Sequence, residues 1–418
     1  MGFSCGKLLL RFLVVIGVFV TLLLVLPGLP PDQEFTEFKI EPPKKLEGWM
    51  ANNTILDQAE LYFEGPFGGI ESVVVLDDNN IITGDTSGAV FRITGKNKSE
   101  NIANLKFPCS IEENSIEADK KCGWPLGMRM DNDGNLLVMD YYGGMTRVNI
   151  KTGAYENLIP KRVPIKGKIG YTPEDVQMSK DGMIYWTDGN TNTGGDFGEE
   201  LMGQPSGRLL KYDPVKKTNE VLLNDLHFSN GLCISDDEGI ILVAEYGSAK
   251  LRRYYLRGEK RGQSDTFING LPGYPDNIRP NGRGGYYVGL FQPWNNESSV
   301  GNHVLTPYRL ARKLVFRIRF LLLTFLHQMQ TLFPDNTHLM ELETYVKNFG
   351  PLLNALGGSK LAIVVEISKD GKIIGVFYGQ EGDMYGLSQL SLGKEYAYMV
   401  GPFHNKVWRI KKEALKSD

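Results

Sequence analysis

The chain has 418 residues, 42% of them hydrophobic and 23% charged, with a formal net charge of −3 at neutral pH. That balance supports a buried core and excludes the basic footprint of a nucleic-acid binder. Its 48 glycines exceed the usual share of roughly 7% and fall as turn punctuation, which points to many short strands joined by tight turns.

The first element is apolar. From Leu8 to Leu26 only Arg11 and Thr21 interrupt the apolar residues, and a bilayer-spanning helix needs about 20 such residues. Lys7 and Arg11 precede the segment's centre, whereas Asp32, Glu34 and Glu37 follow Pro27, Pro30 and Pro31. Basic residues stay in the cytosol, so the pattern predicts a type II signal anchor over residues 8–27, with a cytosolic tail at 1–7 and a linker at 28–55. A cleaved signal peptide is the rival reading, but its apolar core is usually about 7–15 residues and ends at a small-x-small site, which Leu-Pro-Gly-Leu-Pro-Pro does not supply. Gly6 stands where a myristoylation signal wants Ser or Thr. Everything after the anchor is then expected in the endoplasmic reticulum and secretory pathway or at the plasma membrane, on the lumenal or extracellular side.

That compartment is oxidising, and four cysteines must be placed in it or outside it: Cys5, Cys109, Cys122 and Cys233. Cys5 is cytosolic in this topology. Cys109 and Cys122 flank a polar, acidic loop that a bridge can close, whereas Cys233 sits in an apolar strand pattern as a small hydrophobe. Sequons at Asn52, Asn97 and Asn296 fall in polar stretches suited to glycosylated loops.

After residue 60 one pattern recurs. A short apolar run meets an Asp/Asn/Gly turn, and a second apolar run follows: Ser72–Leu76 with Ile81–Gly84, Leu126–Met130 with Leu136–Asp140, Asp175–Met178 with Ile184–Asp188, Leu232–Ser235 with Ile241–Glu245. Such turns between alternating runs are the strongest short-range hairpin signal. The repeat, roughly fifty residues long, has the scale of a four-stranded propeller blade. Six blades are expected over residues 56–411, with a strand near Leu56–Phe63 closing the ring and a C-terminal tail at 412–418. The predicted fold is an all-β six-bladed propeller carrying an N-terminal transmembrane helix.

The fifth repeat is interrupted over residues 294–358. Tyr308–Phe333 interleaves Arg and Lys with Leu and Phe, the composition of an interfacial amphipathic helix. Two roles fit: a helix on the propeller rim with its basic face in water, or a second membrane contact through 308–333.

Several longer motifs carry a family resemblance: Cys122-Gly-Trp-Pro-Leu-Gly-Met, Phe228-Ser-Asn-Gly-Leu, Val243-Ala-Glu-Tyr, Leu251-Arg-Arg-Tyr-Tyr and Leu271-Pro-Gly-Tyr-Pro-Asp-Asn-Ile-Arg-Pro. In order and spacing, from about residue 60 to 411, they resemble the strictosidine synthase-like family. The resemblance implies a six-bladed propeller and a loop disulfide that falls on Cys109 and Cys122. Related propellers, paraoxonases and gluconolactonases among them, hold calcium in the central channel. The matching positions are Glu71, Glu174, Asn230, Asp276 and Asn277, oxygen donors of the kind calcium takes in sets of six to eight. Position 174 departs from the usual Asn. The extra carboxylate increases repulsion in the channel unless a cation is bound.

The chemistry implied by the resemblance is incomplete here. Leu126 stands where the paraoxonase channel histidine would act as base, and His227 and His404 read as a strand-flanking and a rim residue. Ser388 and Gln389 stand where the alkaloid-condensing enzyme has its glutamate, which argues against that condensation. No serine-hydrolase elbow, zinc spacing or phosphate loop is present. The expectation is a calcium-dependent arylesterase or lactonase acting on small esters, with Asp276 as base or nucleophile. Its alternative is a non-catalytic binding propeller that keeps the fold without the chemistry.

Overall fold

The computed structural model describes residues 5–30, 35–66, 68–108, 122–192, 203–294, 305–347, 360–381 and 383–415. They form two compact units. The larger, Glu41–Gly195 with Pro205–Asn295 and Ser359–Asp418, is a β-propeller; the smaller, Met1–Ile40 with Asp196–Gln204 and Asn296–Gly358, is helical.

The propeller has six four-stranded antiparallel sheets. Blade one holds β2 to β5 (Val73–Asp77, Asn80–Gly84, Ala89–Gly95, Lys98–Asn104) and blade two holds β6 to β9 (Pro125–Met130, Leu136–Asp140, Gly144–Val148, Tyr155–Pro160). Blade three holds β10 to β13 (Pro173–Met178, Ile184–Asp188, Gly207–Asp213, Thr218–Leu226). Blade four holds β14 to β17 (Ser229–Ile234, Ile240–Glu245, Lys250–Tyr255, Ser264–Ile268). Blade five holds β18 to β21 (Gly273–Pro280, Tyr286–Pro293, Ala362–Ile367, Ile373–Gly379).

The recurring turn residues explain the hairpins. Asp131 Oδ1 accepts the amides of Asp133 and Asn135, and Asn281 Oδ1 accepts those of Arg283 and Gly285. Each side chain holds its own reversal. The second strands of blades two to four are almost wholly buried, those of blades two and four rich in Val, Ile, Leu and Met and that of blade three built on Ile184, Tyr185 and Trp186. They end on buried acids, Asp140, Asp188 and Glu245. Burial pushes Asp140 and Asp188 up to about 6. Asp188 accepts Nε and Nη2 of the buried Arg208 at 3.1 and 2.6 Å.

Blade six combines β22 to β24 (Gln389–Leu392, Tyr396–Val400, Lys406–Lys411) with β1 (Glu60–Glu64) as its outer strand. Glu60 faces Arg409 and Glu64 faces Lys406, so the start of the propeller closes on its end. The closing strand is shorter than the expected Leu56–Phe63. Ile55–Gln58 forms a 3-10 turn instead, which buries Leu56 against blades five and six. The stretch read as linker is partly docked as well, since Asn53 donates to Val376 O and accepts the amide of Tyr378. The insertion leaves after β19 and returns before β20, as expected for the fifth blade.

The smaller unit contains α1 (Cys5–Val25), α2 (Arg309–Leu332) and α3 (Thr337–Lys347). The expected transmembrane span is not reproduced: among the described residues no helix is long and apolar enough to cross a membrane. Arg11 and Thr21 interrupt the apolar sequence of α1. Its side chains are nevertheless apolar and outward-facing over most of its length. The basic face expected of α2 is also rearranged, because Arg312, Arg317 and Arg319 are buried. Cys109 and Asn296 lie outside the described residues, so the bridge to Cys122 and the third sequon remain expectations. Cys233 is a free, buried cysteine, as read from its apolar strand.

Candidate functional site

The innermost strands β2, β6, β10, β14, β18 and β22 touch one another in ring order. Four of them carry a register shift at the same place, between Pro125 and Met128, Pro173 and Val176, Ser229 and Leu232, and Pro275 and Ile278. A bulge re-aims the chain and breaks simple alternation. Leu126, Glu174, Asn230, Asp276 and Asn277 all fall inside these shifts and are buried. Glycines in the same stretches let neighbouring strands approach: a Cβ on Gly231 would meet the Asn277 Cα at 2.5 Å, and one on Gly127 would meet Asp175 Cα at 2.5 Å.

Three of the expected ligands are brought together. Asn277 Nδ2 donates to Glu71 Oε1 at 2.5 Å, and the carboxyls of Glu71 and Asp276 lie within hydrogen-bonding reach. No hydrogen-bond donor among the described residues reaches Glu71 Oε2, Asp276 Oδ1 or Asn277 Oδ1, although all three are buried. The backbone holds the arrangement: the Asn277 amide donates to Ser388 O, and Ser388 Oγ donates to Glu71 O. Glu174 and Asn230 occupy the corresponding bulges of blades three and four. Among the described residues no group of three or more His, Cys, Asp or Glu side chains is arranged to hold a metal. The convergent set is two carboxyls and an amide.

Electrostatics make this set a costly place for two negative charges. Burial, and next the charge of Asp175, push Glu71 up to about 8, against the pull of Arg279 and the Asn277 and Asp276 hydrogen bonds. Burial, then Glu71 and Asp175, push Asp276 well above the carboxylate range, again opposed by Arg279. Two adjacent buried carboxyls cannot both ionise cheaply, so they share a proton or a positive ion. The unpartnered oxygens fit a hard cation, which binds through carboxylate and amide oxygens.

Sequence reasoning missed the layer beside this trio. Arg279 Nη1 donates to Asp175 Oδ2 at 2.9 Å and Nη2 to Ser72 Oγ at 3.3 Å. Arg129 Nη2 donates to Leu232 O and Ile278 O, both at 3.0 Å, and lies 3.7 Å from Asp175 Oδ2. Gln389 accepts from Ser72 Oγ and donates to Val73 O, and the Met128 amide donates to Ser72 Oγ. These bonds join residues from all six blades. The signal available was local: Arg279 ends the Pro-Asp-Asn-Ile-Arg motif, and Asp175 adjoins Glu174.

His227 and His404 stand elsewhere. His227 Nδ1 pairs with Ser248 Oγ at 2.9 Å, and His404 Nε2 pairs with Tyr385 O at 2.8 Å, with its ring against Tyr385 and Trp408. Leu126 fills the bulge of blade two. Ser388 and Gln389 are buried and spend their polar atoms on the network.

The family model for strictosidine synthase matches residues 174–259. The chain is 31% identical over 408 residues to hemomucin of Drosophila melanogaster, covering 96% of this chain and 69% of that protein. It is 38% identical over 263 residues to adipocyte plasma membrane-associated protein of Rattus norvegicus, covering 62% and 68% respectively. Among solved structures, a gluconolactonase from Xanthomonas campestris superposes with a TM-score of 0.52 at 14% identity, covering 91% of this chain and 98% of that one. A luciferin-regenerating enzyme superposes with a TM-score of 0.50 at 11% identity, over 83% and 92%. At such identities the superpositions speak for the propeller alone.

Proposed function

The chain belongs to the strictosidine synthase-like family, with hemomucin and adipocyte plasma membrane-associated protein among its relatives, and from that premise we propose a membrane-tethered propeller that holds calcium on its axis and hydrolyses small esters or lactones. The convergence of three buried, donor-free oxygens from Glu71, Asp276 and Asn277 carries this reading. Glu174 and Asn230, placed in the matching bulges, complete the proposed ligand set. Bound there, the ion supplies Lewis-acid polarisation of a substrate carbonyl. The chain's own part is to position and to move a proton. Asp276 accepts the proton of an attacking water, and the Arg279–Asp175 pair fixes the strand that carries it.

The test is hydrolysis of an aryl acetate and a lactone panel by the purified full chain. Turnover that disappears on chelation and returns with calcium supports the hydrolase. Calcium uptake without turnover supports the second reading, a binding propeller that has lost its chemistry. That alternative draws on Leu126 in the blade-two bulge and on the engagement of His227 and His404 away from the trio.

The proposed tether is α1, inserted with Lys7 and Arg11 on the cytosolic side so that the propeller is lumenal or extracellular. Asn52 and Asn97 are exposed, Asn97 in the β4–β5 turn at φ 54°. Expressed in a secretory cell, the chain should migrate faster after endoglycosidase treatment, and Asn52→Gln with Asn97→Gln should reduce that shift. A chain whose mobility ignores the glycosidase places the propeller on the other side of the membrane.

A further inference from the structure

Helix α2 has an inverted polarity. Its guanidinium groups are inside: Arg312, Arg317 and Arg319 are 1%, 2% and 7% exposed. Its large apolar side chains are outside: Ile318, Leu322 and Phe325 are 46%, 40% and 56% exposed, with Phe320 and Leu321 beside them. A guanidinium cannot shed its charge, so inside a protein it must find acceptors. Each of these finds backbone carbonyls. Arg312 donates to Gly203 O and Thr36 O, and Arg319 Nε to Val346 O. Arg317 Nη1 donates to Leu23 O at 2.6 Å and Leu26 O at 3.0 Å.

The Arg317 contact has a clear local cause. The Leu23 carbonyl would normally bond the amide four residues on, but that residue is Pro27, which has none. Arg317 supplies the missing donor and a positive charge at the helix C-terminus, where the macrodipole favours it. The two helices are thereby joined at the point where α1 ends. Along α1 itself, Phe12, Val15 and Val25 are exposed in the same manner as the apolar residues of α2.

In water such an arrangement is unfavourable twice over, because charges are desolvated while apolar side chains stay wet. In hydrocarbon the same arrangement is favourable: backbone carbonyls are satisfied internally and the apolar side chains face an apolar solvent. We propose that α1 and α2 form one lipid-embedded pair, with the acyl chains of a bilayer covering Phe320, Leu321, Leu322 and Phe325. The inserted helix is seated in the bilayer beside α1 rather than across it. Arg309 and Lys313, about two turns and one turn before Arg317, sit toward the level where α1 ends, where long basic side chains reach the headgroup layer. Continuity with the exposed apolar surface of α1 selects lipid over a protein partner as the occupant.

This inference rests on α1 being the membrane tether, and its test separates the two. Full-length chains carrying Leu321→Cys or Val14→Cys are labelled with an environment-sensitive fluorophore. They are then reconstituted in phosphatidylcholine–phosphatidylserine vesicles with or without brominated acyl chains. Both probes should emit at blue-shifted wavelengths and be quenched several-fold by the brominated lipid, while a probe at Asp370→Cys on the exposed β20–β21 turn should not. Quenching at Val14 alone leaves the tether standing and overturns the lipid-embedded pair. A blue-shifted Leu321 probe without quenching means that protein covers the face, which also overturns it. Water-like emission at both positions removes tether and pair together.

Discussion

Replacing Arg279 with methionine is expected to cost the propeller about 3–5 kcal/mol, the usual penalty for leaving a buried charge without its partner. Methionine keeps much of the length and apolar stem of arginine, so the loss is mainly electrostatic. Asp175, fully buried, would keep only the Leu232 amide and the more distant Arg129. Glu71 and Asp276 would lose the positive charge that opposes their desolvation. Urea unfolding of the full chain in detergent, followed by tryptophan fluorescence, measures the change. Adding Asp175→Asn should recover part of the loss, since removing both charges leaves less uncompensated than removing one. A single variant shifted by less than about 1 kcal/mol, the scale of an exposed pair, would show that Arg129 alone suffices for Asp175.

The second large effect concerns calcium. A ligand at a hundred times its dissociation constant stabilises the folded state by about 2.7 kcal/mol, so millimolar calcium should raise the unfolding midpoint of the wild-type chain. Asp276→Asn should abolish most of that rise. The same substitution should leave the calcium-free protein as stable as wild type or more so, because it relieves the confrontation of two buried carboxyls. The opposite signs with and without the ion make the pair of measurements discriminating: a residue of purely structural importance would lower both curves. Calcium that fails to shift the wild-type midpoint at any concentration would remove the metal from the axis and the proposed hydrolase with it.

Much of the architecture was legible because each hairpin states its own chemistry. Asp131-Asn-Asp-Gly and Asn281-Gly-Arg-Gly supply both the capping side chain and the glycine that the reversal needs. The site was legible only in part, and chiefly through family motifs. Asp276 and Asn277 are adjacent, so ideal strand alternation would send them to opposite faces. The register shift between Pro275 and Ile278 changes that, and a bulge leaves no mark in the sequence. Arg129, Asp175 and Arg279 escaped because their meaning is mutual: they come from different blades and acquire a role only when the ring brings them to one axis. The helical insertion was legible in part: of the two roles its interleaved Arg and Leu allowed, the wet basic face does not hold for Arg312, Arg317 and Arg319, which carbonyls near Leu23, Thr36 and Val346 draw inward. The closing strand began four residues later than expected because Leu56 buries itself in a turn rather than in the sheet.

The pairing of Glu60–Glu64 with Lys406–Lys411 also fixes an order of events during synthesis. The strand is translated before every other strand of the propeller, and its partner after all of them. Until then five blades can assemble while the sixth waits, one strand bare. A chain that stops before Lys406 should therefore leave an unsealed circle with two sticky margins, even though every residue proposed for the axis has already been made.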